Sequence, residues 1–432
     1  MRRGWFPTIL AALALVASGC TWSLVGADGS RSGAGADGTI TPGNVASLQP
    51  AWASPSFVAP IVDLVVDDGA VFATTAWKIA ALDQGNGAER WHVGVNAPPP
   101  PPPDSSTPRH LFGSPGARNH VVYVGDADAG VIPSYHGSLS GYDVNSGNVV
   151  WQGTFPSGGL ESGPQGALVA PVPRADVVVS DYRFKRSGFS VVQGTVVYEA
   201  NGSVRFVTDA VGNFAVAGNT LYEDGLKVYD LTVSLSGSNA HCFGDQASMT
   251  VVCNPMWSST VGATKPTVVG DTVFATFNGN ATQDGMLHAF PAAGCGAATC
   301  APSWSASLGG TTKGGVAVAN GTVFVANEAG TLFAFAASGC GHPTCSPLWR
   351  AAGLGSIKSS PSVAGGVVYL GGDDGKVSAF NAAGCGSTTC APLAQFAIGS
   401  AVTRPVAIAY GHLYVGADDG TVHAFKLPSA SG

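Results

Sequence analysis

A repeat of 45 residues in the C-terminal part of the chain constrains its fold more than any other feature. Three pairs of cysteines with one five-residue spacing recur at this interval: Cys295 and Cys300, Cys340 and Cys345, and Cys385 and Cys390. Two sets of aromatic residues keep the same period: Phe324, Tyr369 and Tyr414, and Phe290, Phe335, Phe380 and Phe425. A fixed period in the 40s with short β-type runs inside each unit is typical of a propeller, in which each repeat forms one blade.

One unit shows the expected strands. The run GGVVYLGG (365–372) is rich in β-branched and aromatic residues, and the DDG that follows (373–375) favours a tight turn because glycine readily adopts positive φ. The runs KVSAF (376–380) and PLAQFAI (392–398) then predict two further strands. We therefore expect four short antiparallel strands in each unit.

The earlier units contain a shorter form of the same connection. The segments ALDQGNGAERW (81–91) and GYDVNSGNVVW (141–151) share the pattern D-x-x-x-G-x-x-x-W, with nine positions between the strand residue and the tryptophan. Fourteen positions separate Phe335 from Trp349 in a cysteine-containing unit. The later units thus contain a longer connection, which a disulfide would restrain by about 2 kcal/mol on the chain-entropy model.

Blade-end residues give the number of units. They are Trp52, Trp91, Trp151, Phe206, Trp257, Trp304, Trp349 and Ala394. The chain ends without a final strand, and the segment ASLQPAW (46–52) can supply it. We therefore predict an all-β protein, an eight-bladed β-propeller of four-stranded antiparallel blades closed by an N-terminal strand. The third blade (152–206) is the most degenerate.

The N-terminal sequence MRRGWFPTILAALALVASGC predicts export. Two arginines precede an apolar run that is too short to span a membrane as a stable helix, which is the layout of a signal peptide. The small residues before Cys20 resemble a bacterial lipobox, which implies lipidation of Cys20. The alternative is an ordinary signal peptide followed by an unrelated cysteine.

Eight of the nine cysteines remain once Cys20 is assigned to a lipid. The second cysteine of a pair lies four positions before the blade-end tryptophan, and this spacing also pairs Cys242 with Cys253 ahead of Trp257. Zinc is the competing interpretation, since it binds four such ligands. However, pairs on different blades cannot easily reach one tetrahedral centre, and an exported protein permits disulfides.

The segment from Ile40 to Trp52 fits the pattern IxPxNVxxLxxAW, and with WSLVGADGSRSG (22–33) and YVGADDGTVHAF (414–425) it resembles the PQQ-type β-propeller family. The resemblance implies eight blades with tryptophans packed between neighbours. The expected organisation is a lipoprotein signal peptide (1–20), a lead-in segment (21–38), a single propeller (39–427) with a Pro-rich insertion (97–108), and a tail (428–432).

The resemblance leaves two function classes open. Quinoprotein dehydrogenases of this family hold PQQ and a metal ion and share a pair of adjacent cysteines, which this chain lacks, and it also lacks a C-x-x-C-H haem motif. We therefore expect a non-catalytic, monomeric cell-envelope lipoprotein without a cofactor, which acts as a binding or scaffolding module for an envelope protein or glycan. The alternative is a PQQ-dependent oxidoreductase that uses PQQ with calcium.

Charge and isolated motifs support few other functions. Charged residues make up 11% of the chain, the net charge is −7, and the only basic cluster is RFKR (183–186), which argues against nucleic acid. His288 and His423 share a repeat position with Phe333 and Ser378, which favours packing over metal binding. The acidic segments 125–130, 373–375 and 418–420 could suggest calcium binding, but the D-x-D-x-D-G spacing of a calcium loop is incomplete and hairpin turns explain them better. Tyr135 and His136 are candidates for a binding rim.

Overall fold

The computed structural model describes residues 27–28, 31–94, 110–128, 137–153, 160–161, 167–172, 175–185, 191–208, 212–232, 242–245 and 250–428. These residues form eight β-sheets, each of which is one blade, and a single 3-10 turn at Val45–Ser47. The predicted all-β, eight-bladed propeller is therefore confirmed. Blades are numbered below by the position along the chain of their innermost strand, which is called the first strand of the blade.

Blades 1 and 2 contain the short connections. Blade 1 consists of β2 (Asp63–Asp67), β3 (Ala70–Thr74), β4 (Lys78–Asp83) and β5 (Glu89–Gly94). Blade 2 consists of β6 (His110–Phe112), β7 (Gly116–Arg118), β8 (Val121–Asp128), β9 (Gly137–Asp143) and β10 (Val149–Gly153). Both β6 and β7 pair with β8, so the first strand of blade 2 is split.

Strands from the following blade extend the sheets of blades 3 and 4. Blade 3 consists of β11 (Leu160–Glu161), β12 (Ala167–Val172), β13 (Ala175–Lys185), β14 (Val191–Glu199) and β15 (Val204–Val207). Blade 4 consists of β16 (Phe214–Ala217), β17 (Thr220–Glu223), β18 (Lys227–Asp230) and β21 (Trp257–Ser259). The hairpin β19 (Cys242–Asp245) and β20 (Thr250–Cys253) is inserted between β18 and β21 but joins blade 3, where β20 pairs in parallel with β15.

Blades 5, 6 and 7 contain the cysteine pairs. Blade 5 consists of β22 (Thr264–Val269), β23 (Thr272–Phe277), β24 (Met286–Pro291) and β26 (Trp304–Ser307). Its short strand β25 (Thr299–Cys300) pairs in parallel with β21 of blade 4. Blade 6 consists of β27 (Ala317–Ala319), β28 (Thr322–Asn327), β29 (Thr331–Ala336) and β30 (Trp349–Ala351). Blade 7 consists of β31 (Ser362–Ala364), β32 (Val367–Gly371), β33 (Lys376–Asn381) and β34 (Ala394–Ala397).

Blade 8 joins the two ends of the propeller domain. It consists of β35 (Ala407–Ala409), β36 (His412–Gly416), β37 (Val422–Lys426) and the N-terminal strand β1 (Gln49–Ala53). The sheet order β1-β37-β36-β35 places β1 outermost, antiparallel to β37. Trp52 thereby takes the blade-end position of blade 8.

The first strands of successive blades surround the centre of the molecule. They contact one another at seven of the eight junctions between blades, including that between β35 of blade 8 and β2 of blade 1. The second strand of a blade is covered on both faces by neighbouring blades, so β3 and β32 are buried at every position. Burial on both faces explains why these strands have continuous apolar sequences without alternation.

Blade-end aromatic residues pack at the junctions between blades. Trp304 lies between Phe274 of its own blade and Phe335 of the next, with ring centroids 6.2 and 6.3 Å apart. In blade 7, where Ala394 replaces tryptophan, Phe396 contacts Phe425 at 5.3 Å. Such aromatic pairs add about 1 kcal/mol each beyond the burial of their area.

Candidate functional site

The best candidate site is a cavity at one end of the central axis. Its volume is about 300 Å³, and its walls come from the lead-in segment and from residues that lie at or just before the first strands of seven blades. Six charged residues line it: Arg31, Asp63, Lys265, Lys313, Lys358 and Arg404. Five of the six are cationic, and they represent a quarter of the 20 lysines and arginines in a chain whose net charge is −7. The cavity is therefore a concentrated positive site on an otherwise acidic protein.

The lead-in segment forms one wall of this cavity. The backbone oxygens of Ser32 and Gly33 accept hydrogen bonds from the backbone N–H groups of Val318 and Val363, both at 2.7 Å. A Cβ atom at Gly33 would lie 2.7 Å from the Cβ of Ala317, and its φ is +67°. Only glycine fits this close approach without strain. The segment therefore lies directly against the first strands of blades 6 and 7.

Arg31 is positioned by this segment at the cavity wall. Its Nη1 donates to Oδ1 of Asn213 at 3.3 Å, and its guanidinium lies 5.5 Å from the centre of the Phe214 ring. The hydroxyl of Thr267 donates to the backbone oxygen of Arg31 at 3.1 Å. These contacts bring blades 4 and 5 into the wall beside blades 6 and 7.

Among the described residues that line the cavity, Asp63 is the only acidic one. It is 6% exposed, and the hydroxyl of Ser114 donates a hydrogen bond to its Oδ2. Burial raises the pKa of the Asp63 carboxyl, while nearby Arg404, the Ser114 bond and Arg31 oppose the rise. The cationic residues that line the cavity thus outnumber this carboxyl.

The pKa of Lys265 reflects first its burial and then the charges around it. Its ammonium lies 3.4 Å from Oδ1 of Asn278. Burial lowers the pKa of Lys265; Asp224 opposes this shift, and the positive charges of Lys313 and Arg31 add to it. The cavity thus holds like charges close enough to disfavour one another.

The donor set of this cavity does not fit calcium with PQQ. Calcium is bound by six to eight oxygen ligands, most often several carboxylates. The cavity offers one carboxyl surrounded by cations, and no group of three or more His, Cys, Asp or Glu side chains that could hold a metal occurs within the described part of the chain. Glu89 and Glu199 form ion pairs elsewhere, with Lys78 at 2.5 Å and Arg205 at 2.7 Å.

Three of the predicted disulfides are present, between Cys295 and Cys300, Cys340 and Cys345, and Cys385 and Cys390. For the fourth, the strand register places Cys242 opposite Cys253, and Cys253 is disulfide-bonded. In each of the three loops the first cysteine is exposed and the second is buried. None of these residues lines the axial cavity.

Each cysteine loop lies against the blade before it. The N–H of Ser305 donates to the oxygen of Pro343 at 2.8 Å, and the N–H of Cys345 donates to the oxygen of Ser305 at 2.9 Å. Arg350 forms the same two bonds with Thr388 and Cys390. The disulfide therefore stabilises a loop that extends the neighbouring sheet and covers its outer edge.

Other residues predicted from the sequence are dispersed. His288 and His423 lie on third strands of blades 5 and 8, and neither lines the axial cavity. Nδ1 of His288 is 2.8 Å from the Ser305 hydroxyl, and burial lowers the pKa of His288 to about 4. The turns at 373–375 and 418–420 join β32 to β33 and β36 to β37.

Several predictions lie outside the described residues. They include Cys20 with its signal peptide, the Pro-rich insertion 97–108, and Tyr135 with His136. The side chains of the basic cluster RFKR (183–186) and of Asp126 and Asp128 also lie outside the described part of the structure. Since the only helical element in the described part is one 3-10 turn, no helix there could span a membrane.

The cationic residues of the cavity were missed in the sequence, although a signal was present. Lys313 and Lys358 are 45 positions apart, the interval of the cysteine repeat, and Arg404 lies 46 positions further on. Polar positions that keep the blade period must face the same end of the axis. The period that predicts the strands therefore also marks the cations.

Comparisons with known proteins agree with the fold. Residues 283–388 match the family model described as outer membrane protein assembly factor BamB, whose repeat is of the PQQ type. The chain has the PQQ-type β-propeller fold. A search of curated protein sequences returned no significant match.

Solved structures show the same propeller at low identity. Quinohemoprotein alcohol dehydrogenase from Comamonas testosteroni has a TM-score of 0.60 and 13% identity, over 96% of this chain and 82% of that one. BamB from Moraxella catarrhalis has a TM-score of 0.55 and 15% identity, over 88% and 99%. The computationally designed Ika8 protein reaches 0.58 and 14%, over 88% and 99%. Similarity at this level shows the fold and does not choose between an enzyme and a binding module.

Proposed function

We propose that this protein is a non-catalytic propeller of the bacterial cell envelope that binds a protein partner. The observation that carries the proposal is the chemistry of the axial cavity, which offers five cations and one buried carboxyl. A dehydrogenase of the PQQ type needs a metal ion bound at that place, and carboxylates would have to hold it. Likeness to BamB over residues 283–388 favours a protein-binding role.

The partner-binding surface that we propose lies beside the cysteine loops. Leu348 and Leu393 occupy equivalent positions just before the outer strands of blades 6 and 7, and they are 54% and 39% exposed. Because the two leucines occupy one repeat position in adjacent blades, we propose that they contribute to a single apolar patch, the kind of surface that marks protein contacts. The disulfides hold the backbone on which these residues lie, so a partner would meet a preorganised surface.

The proposed location rests on the N-terminal sequence. Lipidation of Cys20, with removal of residues 1–19 so that Cys20 becomes the N-terminus, would attach the propeller to a membrane by its lead-in segment. In the host bacterium, Cys20→Ala should release the protein from the membrane fraction, and mass spectrometry of the mature N-terminus should lose the lipid mass. Membrane association of Cys20→Ala equal to that of the wild type would contradict the anchor.

A quinoprotein oxidoreductase is the second candidate, and it is favoured by the structural similarity to the Comamonas testosteroni enzyme. Titration of tryptophan fluorescence with PQQ, with and without calcium, separates the two functions. We expect no calcium-dependent binding. Saturable binding at micromolar PQQ that requires calcium would overturn the proposal and lead to a dye-linked dehydrogenase assay.

Cross-linking in cells tests the binding function directly. A photo-reactive residue at position 348 or 393 should give a discrete cross-linked species. The matched control is position 303, the equivalent exposed position in blade 5, which holds Ser303. Equal cross-linking at all three positions, or none at positions 348 and 393, would contradict the proposed surface.

A further inference from the structure

The positive residues of the axial cavity occupy equivalent places in four successive blades. Lys265 is at the start of β22, and Lys313, Lys358 and Arg404 precede β27, β31 and β35. Because the first strands surround the axis, side chains at this point converge on one space. The ring of repeats thus provides one cation from each of blades 5 to 8.

The surroundings of the ring compensate only part of this charge. Lys358 is paired with Asp373 at 2.6 Å. Lys313 and Arg404 have no side-chain hydrogen bond or ion pair with the residues that the structure describes, and both are exposed to the cavity mouth. Asp63 is the single acid among the lining residues, and its carboxyl is buried against Ser114.

Both the size and the composition of the space suit a small molecule. A volume of about 300 Å³ is at the lower end of the range for small-molecule pockets. Lysine and arginine ammonium and guanidinium groups donate charge-assisted hydrogen bonds to carboxylate and phosphate oxygens. Backbone from the lead-in segment narrows one side, so the cavity is a bounded space and not only a charged surface.

We propose that the axial cavity binds a small organic anion with two or more acidic groups, a polycarboxylate or a phosphate ester, without a metal ion. Lys313 and Arg404 contact the anion from blades 6 and 8. The bound anion neutralises the repulsion among Lys265, Lys313 and Arg31. This function is separate from the protein contact proposed at Leu348 and Leu393, which lie outside the residues that line the cavity.

The test is calorimetric titration of the full-length protein with citrate and with pyrophosphate in resin-treated, metal-free buffer at low ionic strength. Acetate at matched ionic strength measures non-specific binding. We expect saturable one-to-one binding of at least one of the two polyanions, and the one that binds identifies the carboxylate or the phosphate class. Binding of neither at millimolar concentration would overturn the proposal.

Variants locate the binding. Lys313→Gln and Arg404→Gln should each lower the affinity for the polyanion about tenfold, because a hydrogen bond to a charged group is lost. Lys426→Gln, an exposed charge on β37 that does not line the cavity, is the matched control and should change the affinity less than about twofold, as expected for a screened surface charge. Equal weakening by all three variants would show that only net charge matters and would overturn the site.

The two proposals can fail separately. Calcium-dependent PQQ binding would remove the non-catalytic assignment but leave metal-free anion binding to be judged by the Lys313 and Arg404 variants. Loss of cross-linking at positions 348 and 393 would remove the protein contact and have no bearing on calorimetry with citrate or pyrophosphate. Each outcome therefore bears on one proposal.

Discussion

In blades 1 and 2 a short turn connects the third and fourth strands, whereas in blades 5 to 7 a longer cysteine loop makes this connection. In both regions a glycine of the connection between the third and fourth strands lies against the tryptophan of the preceding blade. A Cβ at Gly147 would lie 2.7 Å from Cδ2 of Trp91, and one at Gly339 would lie 2.6 Å from Cδ1 of Trp304. Close contact with this tryptophan therefore requires a glycine in both the short and the long connection.

The two regions differ in how the connection bonds to the preceding blade. In the short form the indole N–H of Trp91 donates to the backbone oxygen of Val144 at 2.8 Å, and that of Trp52 donates to Gln84 at 2.9 Å. In the long form the loop backbone pairs with the outer strand of the preceding blade, as β25 does with β21. An insertion thus became part of the neighbouring sheet and covered an edge that would otherwise be open to pairing.

The largest effect should come from filling the shared glycine position. Gly147→Ala and Gly339→Ala should each destabilise the protein by about 2–4 kcal/mol, since both residues have positive φ and both would push a methyl group into an indole. Chemical denaturation measures the effect. Gly341→Ala is the control, because Gly341 has the same φ as Gly339 within 1° and open space around its Cβ position, and it should cost only about 1 kcal/mol.

Similar losses for Gly147→Ala and Gly339→Ala would confirm that the two connections make the same junction. A cost for Gly339→Ala no greater than for Gly341→Ala would show that the tryptophan contact contributes little in the long form. In that case the comparison between the two regions would have to be restated in terms of backbone pairing alone.

Removal of one disulfide should have the next largest effect. The double variant Cys340→Ala, Cys345→Ala should lose about 2 kcal/mol on the chain-entropy model for a loop of this length. Reducing agent should lower the thermal midpoint of the wild type and leave a smaller change in this variant. The loss should be local, with faster hydrogen exchange at the N–H groups of Ser305 and Cys345, which bond across the junction. Unchanged exchange there would show that the disulfide does not hold the loop against blade 5.

A third prediction concerns the stability of blade 5 at low pH, because His288 lies in this blade and Phe333 takes its place in blade 6. Burial lowers the pKa of His288 to about 4, below the value of 6.5 that the group has when exposed. The unfolded chain therefore binds the proton first, and stability falls as pH decreases through the window between these values. At pH 5 the loss should be about 2 kcal/mol relative to pH 7.

Phenylalanine takes the place of His288 in the next repeat, at Phe333, so His288→Phe is a conservative test. This variant should keep its stability between pH 7 and pH 5 better than the wild type, by about the same 2 kcal/mol. His342→Ser, at an exposed loop position where the next repeat has Ser387, serves as the control. An acid-induced loss equal to that of the wild type in His288→Phe would assign the loss to other groups.

The smallest effect concerns the indole N–H. Trp91→Phe and Trp349→Phe both lose apolar contact area, but Trp91→Phe also leaves the oxygen of Val144 without its donor. Among described residues the indole of Trp349 makes no such bond, so Trp91→Phe should cost about 1 kcal/mol more than Trp349→Phe. Equal costs would show that water replaces the indole donor in the short turns.

Much of the fold followed from the sequence because the repeat imposes one local structure many times. The blade-end residues from Trp52 to Ala394 all lie on the fourth strands of the eight blades, including Phe206 on β15 and Ala394 on β34. The spacing of five that predicted disulfides is local, so no knowledge of tertiary structure was required. The extra strands on blades 3 and 4 were not predicted, because their partners belong to the preceding blade.

The axial cavity could not be assembled from the sequence in the same way. Arg31 and Asn213 are 182 positions apart, and Asp63 and Ser114 are 51 positions apart, yet both pairs form hydrogen bonds at the axis. Neither pair keeps the blade period. Their contact depends on the path of the lead-in segment across the first strands and on the rotation from one blade to the next.

By itself the sequence determined the repeat, the number of blades, the residues that pack between them and the loops that disulfides close. All of these follow from interactions within one unit or between adjacent units, which periodic residues record directly. Only the tertiary structure decided that four cations at or near one repeat position, together with Arg31 and Asp63, enclose a single space. The reason is geometric: a closed ring turns a position that is repeated along the chain into a group of side chains around an axis.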